Sequence, residues 1–303
     1  MTITRITISA AHARITRDIR RTPILRLEDG PCLKLEQLQR GGSFKARGAF
    51  NRLRQAGDLA AGVVAASGGN HGVAVALAAR ALGAPATIFV PEVSSLAKRE
   101  RIAALGARLV VGGAGYADAL AASQRHVGET GAIAVHAYDQ PEVLAGQGTV
   151  ALEWQEQAPE LTHVLVAVGG GGLIGGMAAW YAGSGTEVVA VEPETSCALH
   201  AALAAGRPVD VPVSGIAADS LGARQVGGLM FPIAAAHVAR SLLVSDAAIS
   251  AAQRWLWAEC AVLAEPGGAA AMAALLSGAF RPPPGARVGV LVCGANTAPG
   301  SVA

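Results

Sequence analysis

Short runs of β-branched and other apolar residues alternate along this chain with longer stretches rich in alanine and leucine, and polar positions gather between them. The short runs predict strands at 62–66, 86–90, 108–111, 132–136, 163–168, 187–191 and 287–292. The longer stretches predict helices over 73–82, 95–105, 116–126, 143–157, 197–205, 247–263 and 267–276, with another running from the glycines after residue 168 through Trp180. Length separates the two kinds of run, since strands of four to eight residues and helices of ten or more divide apolar segments most cleanly. Gly146 and Gly148 weaken the start of the 143–157 helix, each lowering helix propensity by about 1 kcal/mol against alanine. Apolar strands alternating with helices argue for the α/β class, with mostly parallel sheets covered on both faces and right-handed crossovers. The RPPPGA segment at 281–286 reads as a stiff turn before the last strand.

Composition narrows the function classes. The 303 residues are 52% hydrophobic and 15% charged, which excludes general disorder. Net charge is only +2, with no basic block, so nucleic acid is not an expected partner. The Arg-interrupted N-terminus lacks the apolar core of a signal peptide, and no run has the roughly 18 apolar residues of a membrane span. Cys32, Cys197, Cys260 and Cys293 form no C-x-x-C pair, so reduced thiols in a cytoplasmic chain are expected. Glycine, at 38 residues, is concentrated in short runs, which favours loops that approach a ligand closely.

Four segments carry candidate chemistry. In GGSFKARGAFN, Lys45 follows the apolar Phe44; a lysine in a dry pocket loses basicity and can condense with an aldehyde. Alone, it reads first as an ordinary surface lysine near a helix start. SGGNHG, from Ser67 to Gly72, joins a predicted strand to a predicted helix and would aim backbone N–H groups at an anion, though alone it is also an ordinary turn. Gly169, Gly170, Gly171 and Gly172 follow the strand HVLVAV, removing every side chain between a ligand and the amides. No Lys-Ser/Thr pair follows, so this is not a nucleoside triphosphate loop, whereas Glu192 keeps a dinucleotide reading open. In VCGAN, Cys293 leaves the last strand and either faces the same cleft or is a small core thiol.

Together, SFKARGA, SGGNHG, GGGGLIGG and CGAN, with EPGGA at Glu265, resemble the tryptophan-synthase-β-like superfamily of pyridoxal-phosphate enzymes, fold type II, and within it the serine/threonine dehydratase group. The resemblance runs from RTPIL at Arg21 to CGAN and implies a two-domain α/β fold with the cofactor between domains. It implies that Lys45 holds pyridoxal 5'-phosphate as a Schiff base and serves as the catalytic base. The four glycines would seat the phosphate, Asn70 would bond the ring hydroxyl, and Phe44 would pack near the ring. Ser67, Gly68, Gly69 and His71 would hold the substrate carboxylate, and Cys293 would face the pyridine nitrogen. A neutral thiol cannot keep that nitrogen protonated as an aspartate would, which suits elimination better than transamination.

The implied reaction converts L-threonine or L-serine to 2-oxobutanoate or pyruvate plus ammonia. The alternatives are a threo-3-hydroxyaspartate dehydratase, another β-elimination or replacement enzyme, or a serine racemase. From another class, the chain could be a silent binding protein that kept the fold. Racemases of the family carry a serine where this chain has Gly68, so racemisation is expected to be weak. Some relatives bind Mg²⁺ or Ca²⁺ through a glutamate, matching Glu192, a backbone oxygen, matching Ser196, and an acid where this chain has Ala198. With that acid missing no metal site is assigned, although Glu194 or Asp219 offers a substitute oxygen. A small mobile domain is expected at 62–139, with 1–61 and 140–303 forming the larger one. The family default is a homodimer, and no C-terminal regulatory domain is expected after CGAN.

Overall fold

The computed structural model describes residues 2–298 and 300. Its strands are β1 (Ile24–Arg26), β2 (Cys32–Leu35), β3 (Val63–Ala66), β4 (Ala86–Val90), β5 (Arg108–Val111), β6 (Ile133–Ala134), β7 (His163–Ala167), β8 (Glu187–Pro193), β9 (Val238–Val244) and β10 (Val288–Val292). Its helices are α1 (Arg5–Ile15), α2 (Lys45–Gln55), α3 (Asn70–Ala81), α4 (Leu96–Ala103), α5 (Tyr116–Thr130), α6 (Pro141–Gln157), α7 (Gly172–Tyr181), α8 (Ala198–Ala205), α9 (Ala218–Leu221), α10 (Phe231–His237), α11 (Asp246–Cys260) and α12 (Pro266–Leu276). They build two sheets. One has the order β1-β2-β10-β7-β8-β9 and the other β5-β4-β3-β6. Among the described strand pairs only β1–β2 is antiparallel. The α/β class with mostly parallel, helix-covered sheets is therefore what the alternation predicted.

The larger sheet buries its apolar strands against α6, α7, α8, α11 and α12, through residues such as Leu144, Met177, Leu199, Leu256 and Ala270. The smaller sheet has its own core, in which Ile88 of β4 meets Val75 and Ala78 of α3. Ala46, Phe50 and Leu53 of α2 belong to that second core, although α2 precedes the sheet in sequence.

Several elements were not visible in the apolar pattern. Helix α1 buries Ile8, Ala11 and Ile15 along one stripe, but arginines and threonines interrupt the run. Its start is set by a reciprocal cap, in which the Thr4 hydroxyl accepts from the Thr7 N–H and the Thr7 hydroxyl accepts from the Thr4 N–H. Strand β9 is an edge strand with half-buried and exposed residues, so it needs no continuous apolar run. Helix α3 starts at Asn70, three residues before the predicted 73, because Gly69 already serves as its N-cap.

The glycines that looked unfavourable in α6 have a packing reason. A Cβ on Gly146 would lie 2.7 Å from the Arg47 carbonyl oxygen and 2.7 Å from the Gly48 Cα. On Gly48 it would lie 2.5 Å from the Gln147 side chain. Helices α2 and α6 thus cross in near backbone contact, and larger residues would hold them apart.

That crossing is also cemented by charge. The Arg47 guanidinium donates to both oxygens of Glu36, at 2.8 and 2.7 Å, and to both oxygens of Glu153, at 2.8 and 2.8 Å. Lys34 Nζ reaches Glu153 at 3.0 Å and the Thr22 carbonyl at 2.8 Å. All four charged side chains are at most 1% exposed. Two cations balance two carboxylates, which is the condition for charges to persist away from water. The cluster joins β2, the 36–38 turn, α2 and α6.

Gly146→Ala should gain about 1 kcal/mol of helix propensity and lose about 1–3 kcal/mol to overpacking. Because the clashing atoms are backbone, the loss should win, and urea unfolding should show a lower midpoint than wild type with an unchanged slope.

Candidate active site

Strands β3, β7 and β10 deliver three glycine-rich segments to the carboxyl ends of the two sheets. Strand β10 pairs in parallel with β7, so CGAN emerges beside the tetraglycine turn. The lysine segment is tied to CGAN by backbone bonds: Phe44 N–H donates to the Cys293 carbonyl at 3.1 Å, and Ala295 N–H donates to the Gly42 carbonyl at 3.0 Å. Phe44, Lys45, Asn70, the turn Gly169 to Gly172 and Cys293 consequently line one pocket, together with Tyr138, Ser220, Leu221 and Glu265.

Lys45 Nζ donates to the Ala137 carbonyl at 2.7 Å and sits 5.1 Å from the centre of the Phe44 ring. Burial pushes its pKa down to about 8, against the opposing pull of Cys293 and Glu265. About a tenth of the amine is then neutral, and so nucleophilic, at pH 7, far more than for an ordinary lysine.

Two helix N-termini face this region. In α7 the first intrahelical bond runs from Gly175 N–H to the Gly171 carbonyl, so the amides of Gly172, Leu173 and Ile174 precede the ladder. Gly171 has φ +88°, a conformation side chains resist, and a Cβ on Gly170 would fall 2.2 Å from the Tyr138 ring. The turn is bare because it is pressed between Tyr138, Leu221 and Met230. In α3 the first bond runs from Val73 N–H to the Gly69 carbonyl, leaving the amides of Asn70, His71 and Gly72 ahead of it.

Gly68, Gly69 and Asn70 also line an adjoining cleft of about 520 Å³, shared with Lys98, Arg101, Ile216, Asp219 and Glu265. Ser67 and His71 are placed differently. The Ser67 hydroxyl accepts from the Gly69 N–H at 3.1 Å. The His71 ring lies against the Val135 carbonyl at 2.8 Å, and burial pushes its pKa down to about 3, so it is a neutral donor. The Cys293 thiol is buried and donates to the Gly267 carbonyl at 3.4 Å; burial pushes its pKa far up, so it stays protonated.

Glu192, considered above for a dinucleotide or a cation, has both oxygens engaged elsewhere. They accept from the Leu199 and His200 N–H groups at 2.7 and 2.7 Å, capping α8. Burial raises its pKa to about 7. Asp219 pairs with Lys98 at 2.5 Å. Among the described residues no three His, Cys, Asp or Glu side chains converge on a metal-sized site. All four cysteines are free thiols, and no helix among the described residues is long and apolar enough to cross a membrane.

The sequence reading gave no role to Tyr138, Ser220 or Glu265. Glu265 stood in a recognised segment, EPGGA, and could have been flagged as a carboxylate in an otherwise apolar run. Tyr138 and Ser220 sit in turns with no periodic or compositional signal.

Comparison with known proteins places the chain in a family. Residues 15–294 match the family model described as pyridoxal-phosphate dependent enzyme. The chain is 37% identical over 268 residues to an L-threonine ammonia-lyase of Thermotoga maritima, covering 87% of this chain and 66% of that protein's length. It is 37% identical over 301 residues to a phenylserine dehydratase of Ralstonia pickettii, covering 96% of this chain and 92% of the relative. Among solved structures, maize serine racemase superposes with a TM-score of 0.95 at 33% identity, covering 100% of this chain and 96% of that one. The chain belongs to the fold type II family of pyridoxal-phosphate dependent enzymes. The donor set suits that cofactor: a desolvated amine for its aldehyde lies beside unpaired helix N-terminal amides for its phosphate.

Only the neutral amine attacks an aldehyde. The rate at which the cofactor-free protein takes up pyridoxal phosphate should therefore rise with pH and level off above about 8, where an ordinary lysine would keep gaining up to 10.5. Stopped-flow absorbance of the coloured product checks this.

Proposed function

We propose that this enzyme is a serine/threonine dehydratase, releasing 2-oxobutanoate from L-threonine or pyruvate from L-serine, with ammonia. The observation that carries the reading is Lys45: a buried amine with pKa lowered to about 8, in a pocket also lined by a glycine turn at a helix N-terminus and by Asn70. Bound pyridoxal phosphate supplies an electron sink for the bond at Cα.

The chain's own residues do the rest. The amides of the turn from Gly169 to Gly172 would hold the phosphate, Asn70 would bond the ring hydroxyl, and Phe44 would pack beside the ring. Lys45 carries the cofactor at rest. With its amine free, Lys45 would be the base that takes the Cα proton, and it would return that proton to the departing β-hydroxyl. The α3 N-terminus, through the segment Ser67, Gly68, Gly69 and His71, holds the substrate carboxylate with amides and dipole. His71 does this through its backbone, since its ring is bonded to Val135. Cys293, a neutral thiol bonded to Gly267, does not protonate the ring nitrogen. A pocket that offers that nitrogen only a neutral thiol would suit elimination, in which the negative charge departs with the leaving group.

Closure of the 62–139 unit against the larger one would exclude water from that step. The Lys98–Asp219 pair, between α4 and α9, already spans the cleft. The relatives' names, an ammonia-lyase of threonine and a dehydratase of phenylserine, support β-elimination from a hydroxy-amino acid.

A second reading, serine racemisation, is favoured by the close superposition on maize serine racemase. It needs a proton donor on the face opposite Lys45. Residue 68 is glycine and supplies no side-chain donor itself; a Cβ there would lie 2.1 Å from the Ser94 hydroxyl.

A 2-oxo acid release assay over L- and D-serine, threonine, phenylserine and threo-3-hydroxyaspartate tests the first reading. We expect turnover of L-serine or L-threonine, falling by at least about 10³-fold in Lys45→Ala; turnover that survives in that variant would refute it. Chiral analysis of the serine left after incubation should show little D-serine, whereas D-serine formed faster than pyruvate would favour the racemase.

A further inference from the structure

Glu265 is a buried carboxylate on the wall of the pocket and has no part in the reaction as described above. Its position is set by interlocking backbone. Glu265 N–H donates to the Gly294 carbonyl at 3.1 Å, and a Cβ on Gly294 would lie 2.1 Å from Glu265 Oε1. A Cβ on Gly268 would lie 2.2 Å from the Gly294 carbonyl oxygen. EPGGA and CGAN are therefore packed into one another, and Glu265 projects from that joint toward Asn70.

The hydrogen bonds leave Asn70 one orientation. Asn296 Nδ2 donates to the Gly41 carbonyl at 3.0 Å. A carbonyl only accepts, so the nitrogen end of Asn296 must face it. The same nitrogen donates to Asn70 Oδ1, which must then be the oxygen end of Asn70. The Asn70 nitrogen accordingly faces Glu265 and donates to Oε1 at 2.5 Å. One Asn70 N–H is thereby used, and the second remains for the pocket.

We propose that Glu265 is a positioning residue: its carboxylate and the Asn296 carboxamide lock the Asn70 amide so that Asn70 offers the cofactor's ring oxygen an N–H donor and never a carbonyl. This rests on the reading that Asn70 faces the ring hydroxyl. A fixed donor there favours the oxygen as an anion, and the proton then resides on the neighbouring imine nitrogen. That is the form which absorbs at long wavelength and is open to attack by the substrate amine. An Asn70 free to turn its oxygen inward would instead favour a protonated ring oxygen and the near-ultraviolet form. Burial raises the Glu265 pKa to about 7, while the Asn70 bond, Lys98 and the Asn296 backbone N–H oppose the rise. Those partners favour the ionised form, an acceptor only, against burial, which favours the protonated one.

The test uses wild-type holoenzyme and the variants Glu265→Ala, Glu265→Gln and Asn70→Ala. The readouts are the resting absorbance spectrum, the dissociation constant for pyridoxal phosphate, and borohydride reduction to locate the labelled lysine. We expect Glu265→Ala to label Lys45 as wild type does, yet to shift absorbance toward the near-ultraviolet form and bind the cofactor about tenfold more weakly. Asn70→Ala should change in the same direction. Glu265→Gln, which keeps an acceptor at the site, should recover the long-wavelength form at least in part. Should Glu265→Ala fail to fold, Asn296→Ala removes the other anchor and should give the same shift. A normal spectrum and affinity in Glu265→Ala, with Asn70→Ala shifted, would overturn the role of Glu265 while leaving Asn70 in place. An unshifted Asn70→Ala would instead refute the placement of Asn70 against the ring, and the proposal with it.

Discussion

Everything at the active site is referred to a cluster of four charges that never meets water. Arg47 sits two residues beyond Lys45 and is gripped by both oxygens of Glu36 and both of Glu153, while Lys34 neutralises the remaining charge. Buried ions are costly unless fully paired, and a matched set of two cations and two carboxylates tolerates no partial arrangement. That intolerance is the constraint. It locks the start of α2 against β2 and α6, and so fixes where the Lys45 backbone lies. The glycine contacts between α2 and α6 at Gly48 and Gly146 make the approach close enough for the arginine to span it.

From that fixed point, one physical effect gives the site its chemistry. Desolvation pushes the Lys45 amine toward neutrality, holds the Cys293 thiol protonated and raises the Glu265 carboxyl to about 7. Each shift favours the uncharged form of its group. The uncharged donors the pocket offers are peptide amides at two helix N-termini, whose partial charges need no counter-ion and do not titrate. A dianionic cofactor and a carboxylate substrate can then be bound without salt bridges that would perturb the lysine.

The joint between EPGGA and CGAN extends the same logic to orientation. An amide side chain has a donor end and an acceptor end of nearly equal size, so sterics alone cannot choose between them. The choice at Asn70 is made by a chain of unambiguous partners, beginning at the Gly41 carbonyl and ending at Glu265.

Much of this was legible in the residues themselves. Alternating short β-branched and long alanine-rich runs determined the α/β class, because strand and helix periods are local properties of the chain. Four glycine-rich or lysine-bearing segments in one order determined the family, since bare turns at strand ends are what a phosphate requires. What only the tertiary structure decided is long-range. Helix α2 joins the core of a sheet that follows it in sequence, and α6 needs the glycines its propensity argues against. Glu192 caps a helix, the His71 ring turns to Val135, and Tyr138 covers the tetraglycine turn. Glu192 aside, whose partners lie seven and eight residues on, each depends on a segment tens of residues away, and no local pattern encodes the closeness of two surfaces that meet only when the chain has packed.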